Sequence, residues 1–190
     1  MKGITKIAVI LTLVFGSIFL SCQKFDEYPL EPQITFDSFT LFVDTIVEND
    51  TMKVVTNRGV LAFFYTDGDG DLGLRSNDTL PPFNQGSPYY YNIIVHYYEK
   101  QDGEFVEVPI IDPDGNSTII NFNGRFPYLT PAGIHKAIKG VIQDTLPVNN
   151  PNSKYDTIKF RVYIYDRALN KSNEIETPEI PILKKVPVTF

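Results

Sequence analysis

Cysteine is nearly absent from these 190 residues: Cys22 stands alone, and Trp is missing altogether. One cysteine excludes an intrachain disulfide and a thiolate metal cluster. A chain of this length can bury a core large enough to fold without a covalent staple. Only two histidines occur, His96 and His135, and neither has a nucleophile motif or a ligand partner nearby in sequence. No Gly-x-Ser-x-Gly, no His-Glu-x-x-His and no Walker-type phosphate-binding loop is present. Carboxylates from distant strands could in principle make a glycosidase pair. The concentration of acids in one loop argues against it, and the chain is expected not to be an enzyme. Basic charge is also in deficit, with a formal net charge of −6. An acidic surface argues against nucleic acid as a partner.

Apolar residues are unevenly placed. Lys2 and Lys6 precede a mostly apolar stretch from Ile7 to Leu20, which ends in Phe19-Leu20-Ser21-Cys22. The stretch is too short to span a bilayer comfortably and has the layout of a secretory signal. Its end resembles the lipobox of bacterial lipoproteins. That resemblance implies cleavage before Cys22, acylation of Cys22 and a mature chain held on a membrane by several acyl chains. Residues 1–21 are thus read as signal and 22–33 as an acylated tether with Pro29 and Pro32. Residues 34–190 are left as one domain. The run Gln23-Lys24-Phe25-Asp26-Glu27 resembles the surface-export signal of Bacteroidota lipoproteins, which implies the outer membrane and the cell surface.

The whole chain has 14 Phe and 11 Tyr, most of them in the domain, and the domain's apolar residues alternate. Ile158, Phe160, Val162 and Ile164 point one way, and Lys159, Arg161, Tyr163 and Tyr165 the other. Asn92–Glu99 repeats the pattern with Ile93, Val95 and Tyr97. Gln101-Asp102-Gly103 turns that strand into Glu104–Val108. Leu61–Thr66 is a continuous apolar run suited to a central, well-buried strand. Lys136–Gln143 alternates through Ile138, Gly140 and Ile142, and this pattern outweighs a short helix opened by Thr130-Pro131. Ile34–Val47 supplies a first strand or two. Glu174–Leu183 reads as a last strand that Pro178 and Pro181 confine to an edge. The expectation is an all-β antiparallel sandwich of about seven strands.

Two motifs add a resemblance. Val60-Leu61-Ala62-Phe63-Phe64-Tyr65-Thr66-Asp67-Gly68-Asp69-Gly70-Asp71-Leu72-Gly73 and Tyr165-Asp166-Arg167-Ala168-Leu169-Asn170-Lys171-Ser172 are similar to signatures of immunoglobulin-like and fibronectin type III-like modules in Bacteroidota surface lipoproteins. The second is usually Asp-x-Ala-Gly-Asn, and here Leu169 takes the glycine position.

The first motif carries chemistry of its own. Asp67, Asp69 and Asp71 repel one another unless a cation neutralises them, and Gly68 and Gly70 let the backbone fold around an ion. Hard oxygen donors suit Ca²⁺. Asp78 falls where an EF-hand would have its last ligand, but Leu72 replaces the required glycine and no flanking helices are evident. Only the ligand chemistry is retained. In immunoglobulin-like strand order, Asp166 and Asn170 face this loop and join the candidate ligands. The ion would be structural.

Asp-Thr-apolar recurs at Thr45, Thr51, Thr79, Thr145 and Thr157. The repeat resembles an O-glycosylation motif of exported Bacteroidota proteins. Local structure explains it equally, since Asp ends turns and Thr starts strands. Tyr89-Tyr90-Tyr91 follows a long polar segment, Ser76–Pro88, that reads as a functional insertion or disorder. Those rings could stack on a sugar or bury in a partner, though core packing accounts for them more simply. The favoured function is a lipid-anchored binding protein, an accessory subunit of an outer-membrane protein complex. The alternative is a carbohydrate-binding module in glycan uptake.

Overall fold

Strict alternation cannot be satisfied by a helix, and strands form wherever it occurs. The computed structural model describes residues 27–48, 52–111, 119–130, 137–148, 150, 153–183 and 186–188. Among the described residues there is no helix, and therefore none long and apolar enough to cross a membrane.

The chain runs through β1 (Gln33–Glu48), β2 (Met52–Asp67), β3 (Ile93–Gln101) and β4 (Glu104–Glu107). It continues through β5 (Ile110–Ile111), β6 (Ile119–Ile120), β7 (Ile138–Pro147) and β8 (Thr157–Ile164). It finishes with β9 (Ile175–Glu176), β10 (Ile180–Pro181) and β11 (Val186–Val188). In one sheet β2 is central, with β1 on one side and β7 and β11 on the other. In the second, β8 is central, with β3 and then β4 on one side and β9 and β10 on the other. All these pairings are antiparallel, and β5 and β6 form a separate ribbon. The result is the expected antiparallel sandwich, in immunoglobulin-like order because β7 returns to β2 rather than to β4.

Alternation is cleanest in β3 and β8, where every second residue is buried. Phe160 is fully buried and sits between the layers. Its ring lies 5.6 Å from Phe39, 5.6 Å from Phe122 and 5.7 Å from Tyr97. The β3–β4 turn forms as expected, with Asp102 at φ 53° and Gly103 at φ 97°.

Two expectations need correction, and two are borne out with adjusted detail. Leu61–Thr66 is central but not buried throughout: Leu61 and Phe63 are fully buried, whereas Phe64 is 48% exposed on the outer face. Ile34–Val47 is part of a single strand. A register shift between Phe36 and Ser38 makes Asp37 the extra residue of a bulge, so the inward set changes from Ile34 and Phe36 to Phe39 and Leu41. Glu174–Leu183 is two short pieces, β9 and β10, separated around Pro178, which has no N–H to give to a ladder. The strand expected from Lys136 begins at Ile138 and runs on to Pro147, while residues 131–136 and His135 lie outside the described set.

Arg125 is one of the side chains that hold the Ser76–Pro88 segment in place. It donates from Nη1 to the carbonyls of Phe83 (3.2 Å) and Tyr90 (2.5 Å), and from Nη2 to that of Asp78 (3.0 Å).

Candidate metal centre

β2 delivers Asp67 to one pole of the sandwich, and β8 delivers Asp166 to the same pole. Leu72 and Asp166 are joined by an isolated antiparallel bridge that holds the two loops side by side. Gly70 takes φ 68°, which folds the chain back so that Asp69 and Asp71 approach Asp67. One ligand atom from each of Asp67, Asp69 and Asp71 lies within 4.8 Å of the others. Asp67 is fully buried and Asp166 is 2% exposed.

Only part of this carboxylate surface is satisfied. Asp67 Oδ2 accepts the Asp71 N–H at 2.9 Å. The N–H groups of Arg167 and Ala168 point at Asp71. Asp67 Oδ1, Asp69 Oδ1 and Asp71 Oδ1 are all buried, and among the described residues no donor reaches them. Buried polar atoms are otherwise almost always partnered. The electrostatics agree. Burial, then the Asp69 charge, pushes the Asp67 carboxyl up to about 7. Burial, then the charges of Asp166 and Asp69, pushes Asp71 up to about 6. Asp166 is raised too, first by burial, although Asn170 opposes the shift. Such a site needs protons or a cation.

The group can therefore hold a metal ion. All its donors are hard oxygens, with no imidazole or thiolate among them. Asp166 borders it electrostatically, and Asn170 orients Asp166. The Asn170 backbone N–H donates to Oδ1 at 2.7 Å and its Nδ2 donates to Oδ2 at 2.8 Å. Leu169, at the glycine position of the motif, has φ 72°, so the turn adopts the glycine conformation without a glycine.

No family model, no curated protein and no solved structure matches the chain.

The other sequence candidates are dispersed. Cys22 and Thr51 lie outside the described residues, and Thr45 lies in β1 where its side chain is not described. Thr79 and Thr145 are exposed. Thr157 is half-buried and donates to Asp156 Oδ1 at 3.2 Å. Asp78 is bound by Arg167 rather than directed to the metal group. Tyr89 meets Tyr165 edge-on at 79°, Tyr90 meets Tyr91 at 76°, and the Arg125 guanidinium covers Tyr90 at 4.8 Å. Those rings are engaged within the fold rather than arrayed as one flat platform.

Sequence reasoning missed three positioning residues. Asn92 brackets Phe126 through both its N–H and its C=O. Asn173 brackets Ile34 in the same way. Thr130 caps the Gly70 carbonyl inside the acidic loop. Only long-range contacts reveal these roles.

Proposed function

We propose that this protein is a lipid-anchored binding protein of the outer membrane, an accessory subunit of a membrane protein complex, with a calcium ion locking one pole of its sandwich. The observation that carries the calcium reading is the convergence of three buried carboxylate oxygens without donors. Ca²⁺ accepts six to eight oxygens in flexible geometry, so carboxylates, loop carbonyls and water together can satisfy it. Mg²⁺ fits less well, because it holds its waters and demands a near-ideal octahedron. The ion would join the end of β2 to the turn after β8, one element from each sheet. The lipid anchor is supported by the signal-like segment before Cys22. The binding role is supported by the lack of any catalytic motif beside a rigid two-layer scaffold.

Thermal unfolding tests the ion. Calcium well above its dissociation constant is expected to raise the midpoint by roughly 5–10 °C over EDTA. Equal midpoints, with Asp67→Asn and Asp69→Asn variants indifferent to calcium in the same way as the parent, would remove the ion from the reading. Mass spectrometry of the protein from its host tests the anchor. An unmodified Cys22, or a retained residue 1–21 segment, would end the membrane assignment. Pull-down from membranes through the native anchor tests the subunit reading. Saturable glycan binding abolished by Tyr90→Ala would instead favour the carbohydrate module.

A further inference from the structure

The segment leading from Cys22 reaches the domain at the metal pole. β1 starts at Gln33, opposite Thr66 and beside Asp67. Just ahead of it the Gly68 N–H donates to the Pro29 carbonyl at 2.8 Å. The contact is so close that a Cβ on Gly68 would stand 2.3 Å from the Tyr28 carbonyl oxygen. Tyr28 and Pro29, which the sequence assigns to the tether, are therefore seated on the acidic loop. Five residues separate Cys22 from Tyr28. Covalent geometry lets those six steps span at most about 20 Å. Tyr28, which touches the acidic loop, is then within that distance of Cys22.

Two of the most exposed apolar side chains stand near this end: Leu80, 76% exposed, and Leu30, 60% exposed. Leu80 begins the exposed tip Leu80-Pro81-Pro82. The loop behind the tip is fastened to the pole, because Asp78 pairs with Arg167, the neighbour of Asp166. The tip also suits an apolar medium in its backbone. Pro81 and Pro82 have no N–H to desolvate. The N–H groups of Asp78, Thr79 and Phe83 are already bonded to Arg75, Asn77 and Leu80 carbonyls at 3.1, 2.9 and 2.9 Å. Fewer free N–H groups lower the cost of taking the tip to the headgroup level, where water still reaches its remaining polar groups. Arg75 is exposed on the same loop, with its guanidinium over the Tyr128 ring.

We propose that this pole rests on the bilayer that holds the anchor. Leu80-Pro81-Pro82 and Leu30 dip to the headgroup–acyl boundary, and Arg75 lies among the lipid phosphates. The proposal depends on the lipidation of Cys22 and adds an orientation to it. Single exposed leucines are common on soluble proteins. Here they stand on the one end of the domain that a short tether keeps at the membrane.

Because the chain has no Trp, Leu80→Trp creates a lone reporter. Leu183→Trp is the control. Leu183 is 59% exposed at the opposite pole, where the Ile182 N–H donates to Asp156 just before β8. Each full-length lipidated variant is reconstituted, with calcium, into phosphatidylcholine–phosphatidylglycerol vesicles with brominated acyl chains. Several-fold quenching and a blue shift at position 80, with unchanged emission at 183, are expected. Quenching at 183 instead, equal quenching at both, or none at either while the protein floats with vesicles would overturn the orientation and leave the anchor intact. Failure to float would overturn anchor and orientation together. Hydrogen exchange of the unsubstituted protein gives a second readout. Slower exchange in residues 27–32 and 75–83 on vesicles is expected, and equal exchange with and without vesicles would overturn the proposal.

Discussion

Asp67 is the residue most at odds with its surroundings. It is fully buried, one oxygen has no donor, and two further carboxylates converge on it. Asp67→Asn removes one of the repelling charges and places an amide N–H where it can face the Asp69 and Asp71 oxygens. The variant is expected to melt higher than the parent in EDTA and to lose the calcium-dependent rise, so the two sets of melts cross. The same groups set a pH dependence. Asp67 at about 7 and Asp71 at about 6 lie above an unfolded carboxylate near 4, so the metal-free folded state binds more protons than the unfolded state in between. Their contribution to stability is full below about pH 4 and is lost as pH rises through 6 to 7. Midpoints in EDTA should therefore fall between pH 4.5 and 7.5, and calcium should abolish most of that fall because it competes with the protons. Urea or thermal unfolding across this range checks both statements. Glu99 shows the opposite solution. Only 1% exposed, its carboxylate accepts from Tyr97 and Asn150 on Oε1 and from Ser153 on Oε2. Glu99→Ala orphans those donors and is expected to cost about 3–5 kcal/mol in urea unfolding.

The elements differ in how much of them the sequence betrays. β3 and β8 are legible because both faces obey one period, and the β3–β4 turn because Asp-Gly tolerates positive φ. The acidic loop is legible as a candidate cation site because three carboxylates at spacing two repel one another unless something neutralises them. Asp37 is not legible, since nothing local marks it as the extra residue that turns β1 over. Phe64 misleads, because an apolar run gives no sign that one of its faces meets solvent. The role of Arg125 is invisible for a different reason: its three acceptors are backbone carbonyls 35–47 residues earlier. An ammonium cannot match that fork. Arg125→Lys is expected to release the 75–90 loop, with trypsin cutting after Arg75 several-fold faster and global stability falling by only about 1–2 kcal/mol.

Across the whole molecule the two sheets are fastened differently at their two ends. At one end the acidic loop of β2 lies against the turn after β8. At the other, Glu99 on β3 grips Asn150 and Ser153 in the segment between β7 and β8. Between these ends lies the Phe160 cluster, drawn from both layers. Phe160→Ala should lower stability by about 3–5 kcal/mol while leaving the calcium-induced rise intact, as paired melts with and without the ion would show. That outcome would separate the strength of the core from the fastening of its ends.

The placement of β1 and β11 bears on how the fold resists force. β1 starts beside Asp67, whereas β11 stops at Val188, alongside Lys53 at the far end of the same central strand. A load applied between the start of β1 and the end of β11 would run along the ladders on either side of β2, so their bonds would have to slide together rather than unzip one by one. Pulled from the start of β1 while gripped at the far end, the domain would resist in this sliding geometry, at a rate set by its unfolding barrier.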